Sequence, residues 1–127
     1  MPYLKSLGYE VINYGSDTAE SVDYADFAHK LASAVEKNEV DLGISICGSG
    51  NGINIAANKH QGVRSALCWI PEISKLARLH NNANICALPG RFITREQAVA
   101  IIDQFLNTSF EGGRHEKRIK KIPLQNQ

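Results

Sequence analysis

A chain of 127 residues fits one domain and buries roughly two-thirds of its unfolded surface, so it carries a real core and needs no second domain. Fourteen basic residues against 13 acidic ones leave a formal charge of +1, which by itself selects no nucleic-acid, membrane or acidic partner. The sequence opens without an apolar h-region, and no run approaches about 18 uninterrupted apolar residues, so a soluble, unexported, cytoplasmic protein is expected.

Residues 2–7 read as the last turns of a helix closed by Gly8, and residues 9–14 as a strand. Tyr24, Phe27, Ala28, Leu31 and Val35 form a helical stripe, after which 41–47 is a nearly continuous apolar run. Further runs at 63–68 and 84–88 fit strands covered on both faces. Between them Ile73, Leu76 and Ala77 mark a helix with Pro71 at its first position. Thr94 to Gln97 matches a capping box that starts a helix carrying Ala98, Ile101, Ile102 and Phe105. Strand alternating with helix predicts an α/β, three-layer αβα fold, Rossmann-like, around a doubly wound parallel sheet. The helix turns at 2–8 feed a strand with no strand before them, so a βαβ unit begins halfway. About fifteen to twenty residues would complete it, and Met1 then reads as an internal methionine or a misassigned start. After Gly112-Gly113, residues 114–121 carry five basic side chains in eight, forming a short C-terminal helix and tail over 111–127.

The segment 42–59 concentrates the chemistry. A buried strand ends in Cys47, followed by glycines at 48, 50 and 52 and a helix start. Such a turn lets backbone approach a ligand closely and aims N–H groups at an anion or oxyanion, and the helix start favours the thiolate of Cys47. A dinucleotide fingerprint needs glycine at 53 and a Walker A loop needs Gly-Lys-Ser/Thr; Ile53 denies the first and the second is absent. A Cys-x5-Arg phosphatase loop would also need Arg at 53. A tight turn with no ligand is the bland alternative, and Cys47 taken alone is more often a buried hydrophobe. Cys68 and Cys86 read as core, and all three cysteines, odd in number and widely spaced, as free thiols. Without Cys-x-x-Cys or His-x3-His pairs, no zinc site is expected.

His80 continues the stripe of Ile73 and Leu76, as a core histidine would, but Asn81 and Asn82 put it beside a polar turn where strand ends gather and an imidazole could shuttle protons. His29 and His60 read as surface residues. Arg114, Arg118 and Lys121 recur at i, i+4 and i+7. They suit a solvated face, a weak nucleic-acid footprint, or a phosphate monoester clamp.

Three segments taken together, Cys-Gly-Ser-Gly-Asn-Gly at 47–52, Arg-Leu-His-Asn-Asn at 78–82 and Phe-Glu-Gly-Gly-Arg-His at 110–115, resemble the ribose-5-phosphate isomerase B and galactose-6-phosphate isomerase family. The likeness runs from about residue 9 to 122. It implies cofactor-independent aldose–ketose isomerisation of a sugar phosphate through an enediolate, with Cys47 as base. It also implies that Ser49 and the loop of Gly48, Gly50, Asn51 and Gly52 stabilise the enediolate oxygen, and that His80, beside Asn81, opens the sugar ring. Arg91, Arg114, His115 and Arg118 would hold the phosphate, some from a second subunit, which implies a homo-oligomer with no nucleic acid or membrane partner. The first family strand, ending in Asp-His-Ala-Gly, has no counterpart here. That departure supports a competing expectation, a noncatalytic phosphosugar-binding homologue; a basic-tailed nucleic-acid module ranks last.

Overall fold

All five residues of β3 (Ile85–Pro89) are buried, as a strand covered on both faces must be. It is the centre of a three-stranded parallel sheet of order β1-β3-β2, with β1 (Gly43–Cys47) and β2 (Ser65–Leu67) on either side. In register, Gly43 and Ser65 lie opposite Ile85, and Cys47 lies opposite Pro89. The computed structural model describes residues 2–15 and 23–124, and Met1 falls outside them.

The period of two along β3 splits the core between two faces. Ile85 and Ala87 pack with Ala28, Ala32 and Val35 of α2 (Tyr24–Glu36) and with Ile53, Ala56 and Ala57 of α3 (Asn51–Ala57). Cys86 and Leu88 face Ala77 of α4 (Pro71–Asn81) and Ile101 and Phe105 of α5 (Arg95–Asn107). Ile101 and Phe105 are fully buried, and each such side chain contributes about 1.5–3 kcal/mol of transfer free energy. The layers are therefore helix, sheet, helix, as the alternation of elements predicts. Among the described residues no helix is long and apolar enough to cross a membrane.

Local signals set the helix ends. Pro71 opens α4, where a missing N–H costs nothing. The capping box of α5 is complete, with Thr94 Oγ1 accepting from the Gln97 N–H and Gln97 Oε1 accepting from the Thr94 N–H. α1 (Pro2–Ser6) is short, and its Tyr3 hydroxyl bonds to the Asp103 carboxylate of α5. α6 (Arg114–Ile119) ends before Lys121, so only Arg114 and Arg118 of the cationic stripe lie on it.

Residues 9–14 differ from expectation: they form no strand, and Tyr9 and Ile12 are nearly half exposed. Their alternating side chains suit a strand, but a strand exists only where a second backbone completes the ladder. Among the described residues none lies along this segment. Cys68 and Cys86 are fully buried free thiols, as expected. The Cys86 thiol is held well above its ordinary pKa by its hydrogen bond with Cys68 and by burial. His60 is less free than its polar context suggests. Its ring contacts His29 (2.9 Å) and the Glu36 carboxylate (3.4 Å), which also accepts from the Gly62 N–H (2.7 Å).

Candidate active site

At the carboxyl ends of the strands, Cys47 closes β1, half-buried and in contact with the α2/α3 core. The chain then turns through Gly48, Ser49 and Gly50 into α3. Gly50 makes the turn possible, because its φ of +79° is a left-handed conformation and a Cβ there would stand 2.4 Å from Leu67 Cδ1. Ser49 Oγ accepts from the Asn51 N–H at 3.2 Å, while the amides of Gly48, Ser49, Gly50 and Gly52 have no hydrogen-bond partner among the described residues. The β3–α5 turn is laced to the same loop. The Gly90 N–H donates to Cys47 O at 2.8 Å and the Arg91 N–H to Gly48 O at 2.9 Å, and the Arg91 side chain runs over Gly48. Tyr24 of α2 lies against Gly52 and covers the start of α3. A thiol, a hydroxyl, unpaired loop amides and a guanidinium thus meet at one end of the sheet, a set suited to proton transfer beside a developing oxyanion.

His80 is not part of this cluster within one chain. Because α4 returns from the carboxyl to the amino ends of the strands, its last turn lies one strand away from Cys47, roughly 16 Å at 3.3 Å per residue. The expectation that His80 sits where the ligand-binding strand ends gather therefore fails on the direction of α4. Exposed Asn81 follows it, and Arg114, His115 and Arg118 of α6 share this amino end, while Arg91 belongs to the other.

There the His80 ring stacks on His115, with centroids 4.3 Å apart and planes at 15°. His80 Nε2 is 3.9 Å from Glu111 Oε2, and the Glu111 N–H donates to Leu79 O at 3.0 Å, which fastens the arm before α6 to the end of α4. Arg114 and Arg118 are exposed, but His115 is only 6% exposed and its Nε2 has no hydrogen-bond partner among the described residues. Burial, reinforced by His80, Arg114 and Arg118 and opposed by Glu111, holds its pKa below the usual histidine value, which favours the uncharged ring. The buried ring of His115 packs under His80, whereas Arg114 and Arg118 of the expected phosphate set stand exposed. The ligand atoms of His80, Glu111 and His115 lie within 4.8 Å of one another, yet the imidazole lone pairs lie in nearly parallel ring planes and do not converge on one ion. Glu111 stands inside a motif visible in the sequence, but nothing in the spacing places it beside His80; the bond from its N–H to Leu79 O does.

The family model described as Ribose/Galactose Isomerase matches residues 1–122. Ribose-5-phosphate isomerase B of Escherichia coli is 43% identical over 120 residues, 94% of this chain and 80% of the relative. A ribose 5-phosphate isomerase crystal structure from Thermotoga maritima superposes with a TM-score of 0.94 at 52% identity, covering 96% of this chain and 84% of that one. The Mycoplasma genitalium ribose-5-phosphate isomerase B, solved with bound ribulose-5-phosphate, gives 0.91 at 44% identity, covering 95% and 81%. With its αβα fold, the thiol-tipped glycine loop and matches of this extent, the chain belongs to the ribose/galactose isomerase family.

Proposed function

We propose that the protein is an aldose–ketose isomerase that interconverts ribose 5-phosphate and ribulose 5-phosphate through an enediolate. Its site is completed by two copies of the chain. The observation that carries this reading is Cys47, partly exposed at a strand tip beside the open amides of Gly50 and Gly52. Cys47 takes the C2 proton of the open-chain aldose and the electron pair moves onto O1. The O2 proton passes to oxygen O1, and the thiol returns its proton to C1, leaving a C2 ketone and a C1 alcohol. Ser49 and the loop amides stabilise the enediolate charge. No electrons leave the substrate, so the reaction calls for proton transfer and charge stabilisation alone.

His80 opens the furanose by taking the O1 proton and giving one to the ring oxygen. Since His80 and Cys47 occupy opposite ends of one chain, a second copy supplies the histidine end, and its Arg114 and Arg118 join Arg91 on the phosphate. Assay in D2O tests the chemistry: ribulose 5-phosphate formed from ribose 5-phosphate carries solvent deuterium at C1. Binding of ribose 5-phosphate with neither interconversion nor exchange at C2 would sink the proposal in favour of a noncatalytic binder.

A further inference from the structure

A second polar cleft, of about 380 Å³, opens at the amino ends of the strands, lined by Asn38, Asp41, Leu42, Arg64, Arg78 and Asn82 among others. Arg78 and His80, two positions apart on α4, project about 200° apart around the helix, so this cleft and the histidine stack use different sides of it. Both guanidinium groups are fixed by neutral acceptors. Arg64 Nε donates to Asn82 O at 2.9 Å, Arg78 Nε to Thr108 O at 3.2 Å, and Arg78 Nη1 to Asn82 Oδ1 at 3.1 Å and to Ala83 O. Arg78 also stands 5.7 Å above the Phe105 ring. Neither pairs with a carboxylate among the described residues, and Asp41 lines the cleft beyond ion-pair reach.

Complementing the carbonyl end of α4 accounts for part of this arrangement, but a helix terminus offers only about half an elementary charge against two full cations. Burial lowers the pKa of both arginines and Arg64 lowers that of Arg78 further, the mark of desolvated like charges held together. Arg64 Nη1 and Nη2 and Arg78 Nη2 keep donors with no protein partner among the described residues. Planar forks of this kind match the oxygens of a phosphate.

We propose that this cleft is a second anion site that takes a small hydroxylated phosphate monoester. The phosphate bridges Arg64 and Arg78, the carbon chain runs along Leu42, and the hydroxyl groups meet Asp41 and Asn38. None of these residues belongs to the proposed catalytic set.

Titrating the 15N-labelled full chain with glycerol 3-phosphate tests it. The Nε–Hε signals of Arg64 and Arg78 report this cleft, and those of Arg91, Arg114 and Arg118 report the other sites. Saturable shifts at Arg64 and Arg78 are expected. Asn82→Asp keeps each capping hydrogen bond and is tolerated at φ +47°, but sets a carboxylate between the guanidinium groups. Binding at Arg64 should weaken by at least about tenfold in that variant, roughly the worth of one charge-assisted contact, while the response at Arg114 is unchanged. Arg64→Gln should abolish the shift at Arg78. The proposal is overturned by non-saturating signals in the parent chain, by unaltered affinity in Asn82→Asp, or by acetate at equal ionic strength shifting the same signals as strongly.

Discussion

The carboxyl and amino ends of the sheet are built in different ways. At the carboxyl end the backbone holds the site: strand register sets Cys47 opposite Pro89, and two amide bonds from Gly90 and Arg91 pin the loop that follows. At the amino end side chains hold it: the stack of His80 on His115, with Glu111 beside it, joins two helices that share no sheet. Backbone scaffolding fixes position whatever the side chain does, so Cys47 is replaceable without loss of fold. A side-chain scaffold answers to protonation and to substitution of any member.

The largest expected effect is chemical. Cys47→Ala should keep the thermal transition of the parent chain and lose about 10²- to 10⁴-fold in kcat, measured by ribulose 5-phosphate production; retention of full rate would remove the thiol from the reaction. Mixing sharpens the comparison next. If the two ends meet only between subunits, inactive Cys47→Ala and His80→Gln chains, unfolded and refolded together at equal amounts, should regain about a quarter of parental activity. Half of the dimers are then mixed, and each mixed dimer has one intact site. No recovery would place both groups in one chain's site.

Gly50→Ala attacks the backbone end directly. At φ +79° with a Cβ 2.4 Å from Leu67, it should cost about 1–3 kcal/mol in chemical denaturation, with activity falling in step. The amino end breaks by pH. The folded pKa of His115 lies below its unfolded value near 6.5, so the unfolded chain binds the proton first as pH falls. Its contribution to stability is complete above about pH 6.5 and declines from there down to the folded pKa. The melting temperature should therefore drop on acidification through this window, and His115→Phe, which keeps a ring under His80, should flatten the slope.

The carboxyl end was legible because its determinants are local: alternating glycines, a strand that ends in Cys47 and the Thr94 box each specify a few consecutive residues. The direction of α4 was legible too, since a helix linking parallel strands must run back across the sheet; the polar turn after His80 masked that consequence. The burial of His115 was not. Its place between Arg114 and Arg118 signals a solvated face, and only the packing of α6 on α4 turns that ring inward. Residues 9–14 show the same limit in reverse, a strand-like pattern along which no strand of the described residues runs.

Gly112 and Gly113 both hold left-handed φ values, +76° and +60°, and a Cβ on either would touch nothing within 4 Å. Space is free there, and only torsion resists a larger residue. A side chain at either position would meet no wall, so the cost of substitution is backbone strain alone. The pair thus sets, through backbone torsion, the heading at which the segment carrying Arg114 and Arg118 leaves Glu111.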